Sequence, residues 1–129
     1  MRRGVRTSPD RRSNHESRCP PLRAMMRFTH QGGTVRDTPS LLVTGFNSPE
    51  GPAFDRDGNL YIAHYNGSRV DIPDPQGRQI DPVPVPGASV TNVAFGGPDR
   101  RTLVITDVAT ASLCMTRVEI PGLRLFDGT

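Results

Sequence analysis

The sequence has no lysine and no tryptophan, and its aromatic residues are two tyrosines and five phenylalanines. With hydrophobic residues at only 34%, one large core cannot be built from the whole chain. The two cysteines, Cys19 and Cys114, are far apart. That spacing excludes a disulfide framework and a zinc cluster and leaves Cys114 as a small filler within a strand. No apolar run is long enough to span a membrane. Nor does an apolar stretch follow the first arginines, as a secretory signal requires. A cytoplasmic protein without a membrane partner is therefore expected. Gly-x-Ser-x-Gly, a Walker loop, a Rossmann fingerprint and Cys-x-x-Cys are all missing, which removes support for serine-type hydrolysis, nucleotide chemistry and dithiol chemistry.

Glycine and proline, by contrast, are abundant at thirteen each. Both break helices, so short strands joined by turns are expected. Charge is segregated. Residues 1–39 carry nine arginines against three acids, whereas the remainder carries seven against ten. The high isoelectric point thus belongs to the first segment. That segment shows neither periodicity nor a helix pattern, so it is expected to be a disordered Arg-rich arm, or an out-of-frame reading, and not a nucleic-acid-binding element.

Order is expected from residue 40 onward. Leu41–Phe46 is β-prone. Gly51–Asp55 is a short apolar stretch, and Arg56-Asp57-Gly58-Asn59 is a tight turn, since Asp-Gly between apolar runs supplies the positive φ a hairpin needs. Strands follow at Asn59–Tyr65 and Ser68–Ile72, with Asn66-Gly67 turning between them. Gln79–Pro86 alternates but contains prolines that cannot donate to a ladder, so it is an edge strand. The pattern then restarts. Ala53-Phe54 recurs as Ala94-Phe95, 41 residues on, and Leu60 recurs as Leu103, 43 residues on. Thr102–Thr106 and Ala111–Glu119 complete the second copy. A period of about 40–45 residues holding about four short strands is the spacing of β-propeller blades. A free-standing sandwich of about seven strands is the competing architecture, and the repeat disfavours it. Repeat units bury their cores only by stacking, so two blades alone leave open flanks, and self-association through open blade edges is expected.

Pro49–Asp55, Asp57–Val70 and Asp74–Arg78 resemble the penultimate part of the senescence marker protein/gluconolactonase/luciferin-regenerating family. Pro86-Gly87, Thr91–Asp99 and Arg101–Thr106 resemble its last blade. Phe95-Gly96-Gly97-Pro98-Asp99 is the most specific piece, and Pro121-Gly122-Leu123 resembles the usual ending. The resemblance covers about Leu41–Phe126. It implies an all-β fold, a partial six-bladed β-propeller of about two C-terminal blades over residues 40–129. It also implies a divalent cation (calcium, zinc or magnesium) in the central channel and a small sugar lactone as substrate. A hard cation with oxygen ligands polarises a lactone carbonyl, and a neighbouring carboxylate accepts the proton of the attacking water.

By order along the chain, Glu50 takes the place of the family's late metal-binding and catalytic aspartate. It differs from it by one methylene, a shift of about 1 Å that can cost about a hundredfold in rate. Pro-Glu-Gly-Pro is also how the family presents its first-blade glutamate ligand, which leaves two origins open for Glu50. Either way Glu50 is the candidate general base and metal ligand. Asn92 is a second candidate ligand, against the plainer role of bonding the backbone at a strand entry. His64 is expected to be a packed, hydrogen-bonded residue. Asp55, Asp57 and Asn59 read as turn chemistry, and Asp107 has no role beyond solvation. Three functions compete. One is a gluconolactonase-type lactone hydrolase, of which this chain is a truncated and inactive member. The second is a non-catalytic propeller fragment or interaction module, and the third is a general binding repeat, which the Phe95–Asp99 motif disfavours.

Overall fold

The computed structural model describes residues 24–35, 38, 40–46 and 48–125. Among the described residues every regular element is a strand. In chain order these are β1 (Ala24–Arg27), β2 (His30–Gln31), β3 (Thr34–Val35), β4 (Ser40–Thr44), β5 (Pro49–Phe54), β6 (Leu60–His64), β7 (Arg69–Pro73), β8 (Gln79–Pro84), β9 (Val90–Gly96), β10 (Thr102–Asp107) and β11 (Ser112–Arg117). They form an antiparallel meander β5-β6-β7-β8, a three-stranded sheet β9-β10-β11, the pair β1-β4 and the small hairpin β2-β3.

Turn chemistry explains why these segments fold as hairpins. Asp55 closes β5–β6, its Oδ1 accepting the backbone N–H of Asp57 (2.9 Å) and Asn59 (3.0 Å). Asp74 closes β7–β8 in the same way with Gln76 and Arg78, each at 2.9 Å. Between β9 and β10, Asp99 accepts the N–H of Arg101 at 3.1 Å. Short polar side chains that bond the backbone two and four residues on mimic a turn of main chain. The expected Asp57-Gly58 turn is present, with Gly58 at φ 85°. Asn66 at φ 61° turns the chain between β6 and β7, a conformation asparagine tolerates better than most residues.

The sheets stack in layers. One face of the four-stranded sheet, with Tyr61, Ala63, Val70 and Ile72, packs on Val90, Val93, Leu103 and Ile105 of the three-stranded sheet. Tyr61 meets Phe95 edge to face at a centroid distance of 4.9 Å. Burial raises the Tyr61 pKa, and the Asp55 charge adds to that shift. The opposite face, Leu60 and Ile62 with Phe46, packs on Met25, Leu42 and Val43 of β1 and β4. A C-terminal strap ties the two sheets together at one end, where Leu123 N–H donates to Phe54 O (3.0 Å) and Arg56 N–H to Pro121 O (2.8 Å).

Two expectations change. The disordered arm was placed through residue 39, but β1 pairs with β4 at Met25↔Val43 and Met26↔Leu41, so Ala24–Arg27 of that arm is a strand. Residues 1–23 of that arm lie outside the described residues. The two-blade reading from residue 40 also changes. β4 belongs to a third layer with β1, and among the described residues the second full repeat contributes three strands instead of four. As expected, β8 is an edge strand.

Candidate functional site

Glu50 lies on β5 and Asn92 on β9, the strands at one end of their respective sheets. Both residues are exposed. Each sits where its strand is irregular. On β5 the pairing steps from Pro49↔His64 to Pro52↔Ile62, and on β9 from Asn92↔Thr106 to Val90↔Asp107. Each step inserts one extra residue, a bulge that bends the strand and re-aims a side chain. The 41-residue repeat makes these two bulges equivalent, since Pro49–Pro52 corresponds to Val90–Val93.

Gly51 brings the two positions together. A Cβ at Gly51 would overlap the side-chain oxygen of Asn92, so only glycine lets the β9 amide lie against the β5 backbone. Asn92 therefore stands beside the residue that follows Glu50. Its Oδ1 accepts the Val93 N–H at 2.9 Å, the local bonding role that competes with a ligand role. Sequence reasoning passed over Gly51. The signal for it was available, because Gly51 and Asn92 occupy the same position in the repeat.

The corner offers an exposed carboxylate able to accept a proton from water and oxygen donors suited to a hard cation. It does not make a full cation site. Calcium takes about six to eight oxygens, and no group of three or more His, Cys, Asp or Glu that could hold a metal occurs among the described residues. An apolar cleft of about 550 Å3 also runs between the sheets, lined by Pro52, Phe54, Val93, Phe95, Arg100 and Leu125 among others. Neither Glu50 nor Asn92 lines it.

His64 is buried at 3% exposure, and its Nδ1 lies 2.6 Å from Asp71 Oδ2. Asp71 in turn accepts Arg69 Nε at 2.9 Å. Phe46 covers the imidazole edge-on at 5.7 Å. This is the packed, hydrogen-bonded histidine that the sequence suggested. Asp55 likewise serves its turn, accepting Asn59 Nδ2 at 2.8 Å besides the backbone donors. Asp107 is a correction. It is 2% exposed, so it is not a solvated strand end. Its Oδ1 accepts the N–H of Ser89 and of Ala109, both at 3.1 Å, and its Oδ2 accepts Thr110 Oγ1 at 2.8 Å. A Cβ at Gly87 would overlap the Asp107 carboxylate, so the loop before β9 closes directly over it.

Comparison with known proteins follows the same lines. The profile of the SMP-30/gluconolactonase/LRE-like region matches residues 20–109. A 6-deoxy-6-sulfogluconolactonase of Pseudomonas putida is 31% identical over 92% of this chain and 46% of its own length. Regucalcin of Xenopus laevis is 42% identical over 45% of this chain and 20% of its own. Among solved structures, the calcium-binding protein regucalcin from Agrobacterium tumefaciens superposes with a TM-score of 0.70 at 23% identity, covering 79% of this chain and 41% of that one. The chain thus spans less than half the length of the relatives it matches. Its sheets are stacked as in a β-propeller, and it belongs to the SMP-30/gluconolactonase/LRE-like family.

Proposed function

We propose that this chain carries one corner of a sugar-lactone hydrolase site, with Glu50 as general base and Asn92 as its neighbouring oxygen donor. The observation that carries this reading is the approach of the β5 and β9 bulges through Gly51. Family membership supplies the reaction class, and the sulfogluconolactonase likeness favours an aldonolactone as substrate. Lactone opening needs a water deprotonated as it attacks the carbonyl. An exposed carboxylate on a bulged strand can accept that proton, a contribution of about a hundredfold to ten-thousandfold.

The likeness to regucalcin, a calcium-binding protein, suggests a divalent cation: calcium, zinc or magnesium. The donors here form only part of such a site, so the chain is expected to bind the cation weakly and to hydrolyse slowly. The alternative, a non-catalytic propeller module, is favoured by the missing carboxylate cluster among the described residues.

Acid release from glucono-δ-lactone by the purified chain, with each cation and with chelator, separates the two readings. In the hydrolase reading, added cation gives a rate above the chelator blank, and Glu50→Gln lowers it by about a hundredfold or more. A rate that Glu50→Gln leaves unchanged removes Glu50 from the chemistry. No rate above the blank under any cation selects the non-catalytic module.

A further inference from the structure

The two equivalent bulges are held in different ways. On β5 the bulge runs Pro49-Glu50-Gly51-Pro52, and a proline at each end fixes φ at about −65°. Its Glu50 side chain is exposed and makes no hydrogen bond or ion pair among the described residues. On β9 the bulge runs Val90-Thr91-Asn92-Val93. It has no proline, and β10 grips it instead. Thr91 Oγ1 lies 2.9 Å from Thr106 Oγ1. Asp107 Oδ1 accepts the N–H of Ser89, the residue that enters the strand, at 3.1 Å. Where β10 has Thr106 and Asp107, the first repeat has Ala63 and His64, and His64 places its Nδ1 on Asp71. The carboxylate anchor is thus particular to the second bulge.

Ser89, which this anchor holds, joins the two sheets. Its carbonyl accepts the Val108 N–H at 3.0 Å. It also forms a β-bridge with Tyr65, whose own N–H donates to Ser48 O at 3.0 Å. Ser48 immediately precedes β5. The entries to both bulged strands therefore converge on one buried loop residue, and Asp107 bonds its N–H. The carboxylate is itself locked, by the Ala109 N–H, by the Thr110 hydroxyl and by the close approach of Gly87. A group whose own position is fixed in this way can hold another precisely.

We infer that Asp107 is a positioning residue. By pinning Ser89 it fixes the β9 bulge, and so keeps Asn92 against Gly51 and beside Glu50. It acts through the backbone and takes no part in the chemistry. Stiff prolines set the Glu50 side of the corner, and a buried carboxylate sets the Asn92 side. Removing an outer partner that orients a donor costs about tenfold to a hundredfold in metal affinity. That consequence for a cation rests on the lactone-hydrolase reading; the hold on Asn92 does not.

The test is amide hydrogen exchange, read by NMR on the intact protein. The Val93 N–H donates to Asn92 Oδ1 and reports the placement of that side chain, whereas Ile105 lies in the middle strand of the sheet. Asp107→Ala should speed exchange at Val93 relative to Ile105 by about tenfold or more. A purely global loss of stability speeds both alike. Asp107→Asn keeps an oxygen for Ser89 and should restore the wild-type ratio. If Asp107→Ala is unfolded, Gly87→Ala, whose Cβ overlaps the carboxylate, should show the same selective effect. An unchanged ratio in the folded variant, or no restoration by Asp107→Asn, overturns the inference. Calcium titration followed on the Asn92 side-chain amide reads the consequence for a cation. The shift per added calcium should fall by about tenfold in Asp107→Ala. It should vanish in Glu50→Gln, with the Val93 ratio kept at its wild-type value. A wild-type signal that calcium never moves removes the lactone-site reading, while the exchange ratio still decides the role of Asp107.

Discussion

The two main sheets are versions of one pattern, yet they stand in different surroundings. In β5–β8 both faces are covered, and β6 is buried at every position. In β9–β11, among the described residues, only one face is covered, and β10 alternates between buried and half-buried. The strand register and turns are alike in the two. What differs is the neighbour. Burial in a stacked architecture is therefore a property of position in the stack more than of the sequence of any one sheet.

Ile72 and Met115 are equivalent in the repeat and give the widest contrast. Ile72, 5% exposed, should lose about 2–5 kcal/mol on truncation to alanine through lost transfer energy and the cavity left behind. Met115→Ala in a dilute sample should stay within about 0.5 kcal/mol. Chemical denaturation measures both. Equal costs would erase the distinction between the sheets, whereas a Met115→Ala cost that grows with protein concentration would show that another chain covers that face.

A second contrast is polar. His64 and Asp107 are also equivalent, and both are buried. Asp107→Ala strands the N–H groups of Ser89 and Ala109 and the Thr110 hydroxyl. A loss of about 1–3 kcal/mol is expected from the buried Ser89 N–H left unsatisfied, since Ala109 and Thr110 are exposed and can turn to water. A loss of a few tenths would mean that the Ser89 loop opens to water when the carboxylate is removed.

The smallest effect is electrostatic and is confined to the three-stranded sheet. Arg117 grips Asp99 with two nitrogens, at 3.2 and 2.6 Å. Its hydrogen bond, followed by that of the Arg101 N–H, lowers the Asp99 pKa from 3.8 to about 2. The folded-state value is depressed, so this contribution is present above the unfolded pKa and is lost as pH falls from about 4 to about 2. The pair is solvated, and surface pairs contribute little. Asp99→Asn should flatten that part of the stability profile slightly, as read from denaturation midpoints along an acid series. An unchanged profile would show that the grip contributes nothing to stability.

Much of this architecture was legible because its signals are local. Asp57-Gly58, Asn66-Gly67 and Asp74–Gly77 mark hairpins whatever surrounds them, and strand alternation reports which side is covered. β1 escaped notice because Ala24–Arg27 is short and its partner β4 lies beyond an intervening hairpin. Asp107 was misread because its burial depends on the loop around Gly87 and Ser89, some twenty residues earlier in the chain. Glu50 is a candidate by its order along the family pattern, and Asn92 by its place at the entry to a strand. Their proximity was not legible, since it depends on two bulges and on the absence of a side chain at Gly51.

Aspartate-closed turns also bear on the order in which the chain assembles. Asp55, Asp74, Asp99 and Asp107 each bond main chain within four residues of themselves, so four hairpin bends can form before any sheet finds its neighbour. The Tyr61–Phe95 contact must close a far longer loop, and non-local contacts of that kind form later and more slowly. Pulse-labelled amide exchange during refolding should therefore protect the bend N–H groups of Asn59 and Arg78 before the inter-sheet N–H of Leu123. Simultaneous protection would mean that bends and stack form in a single step. With the early order, a nascent chain would hold ready-made hairpins while their stacking partners are still being synthesised.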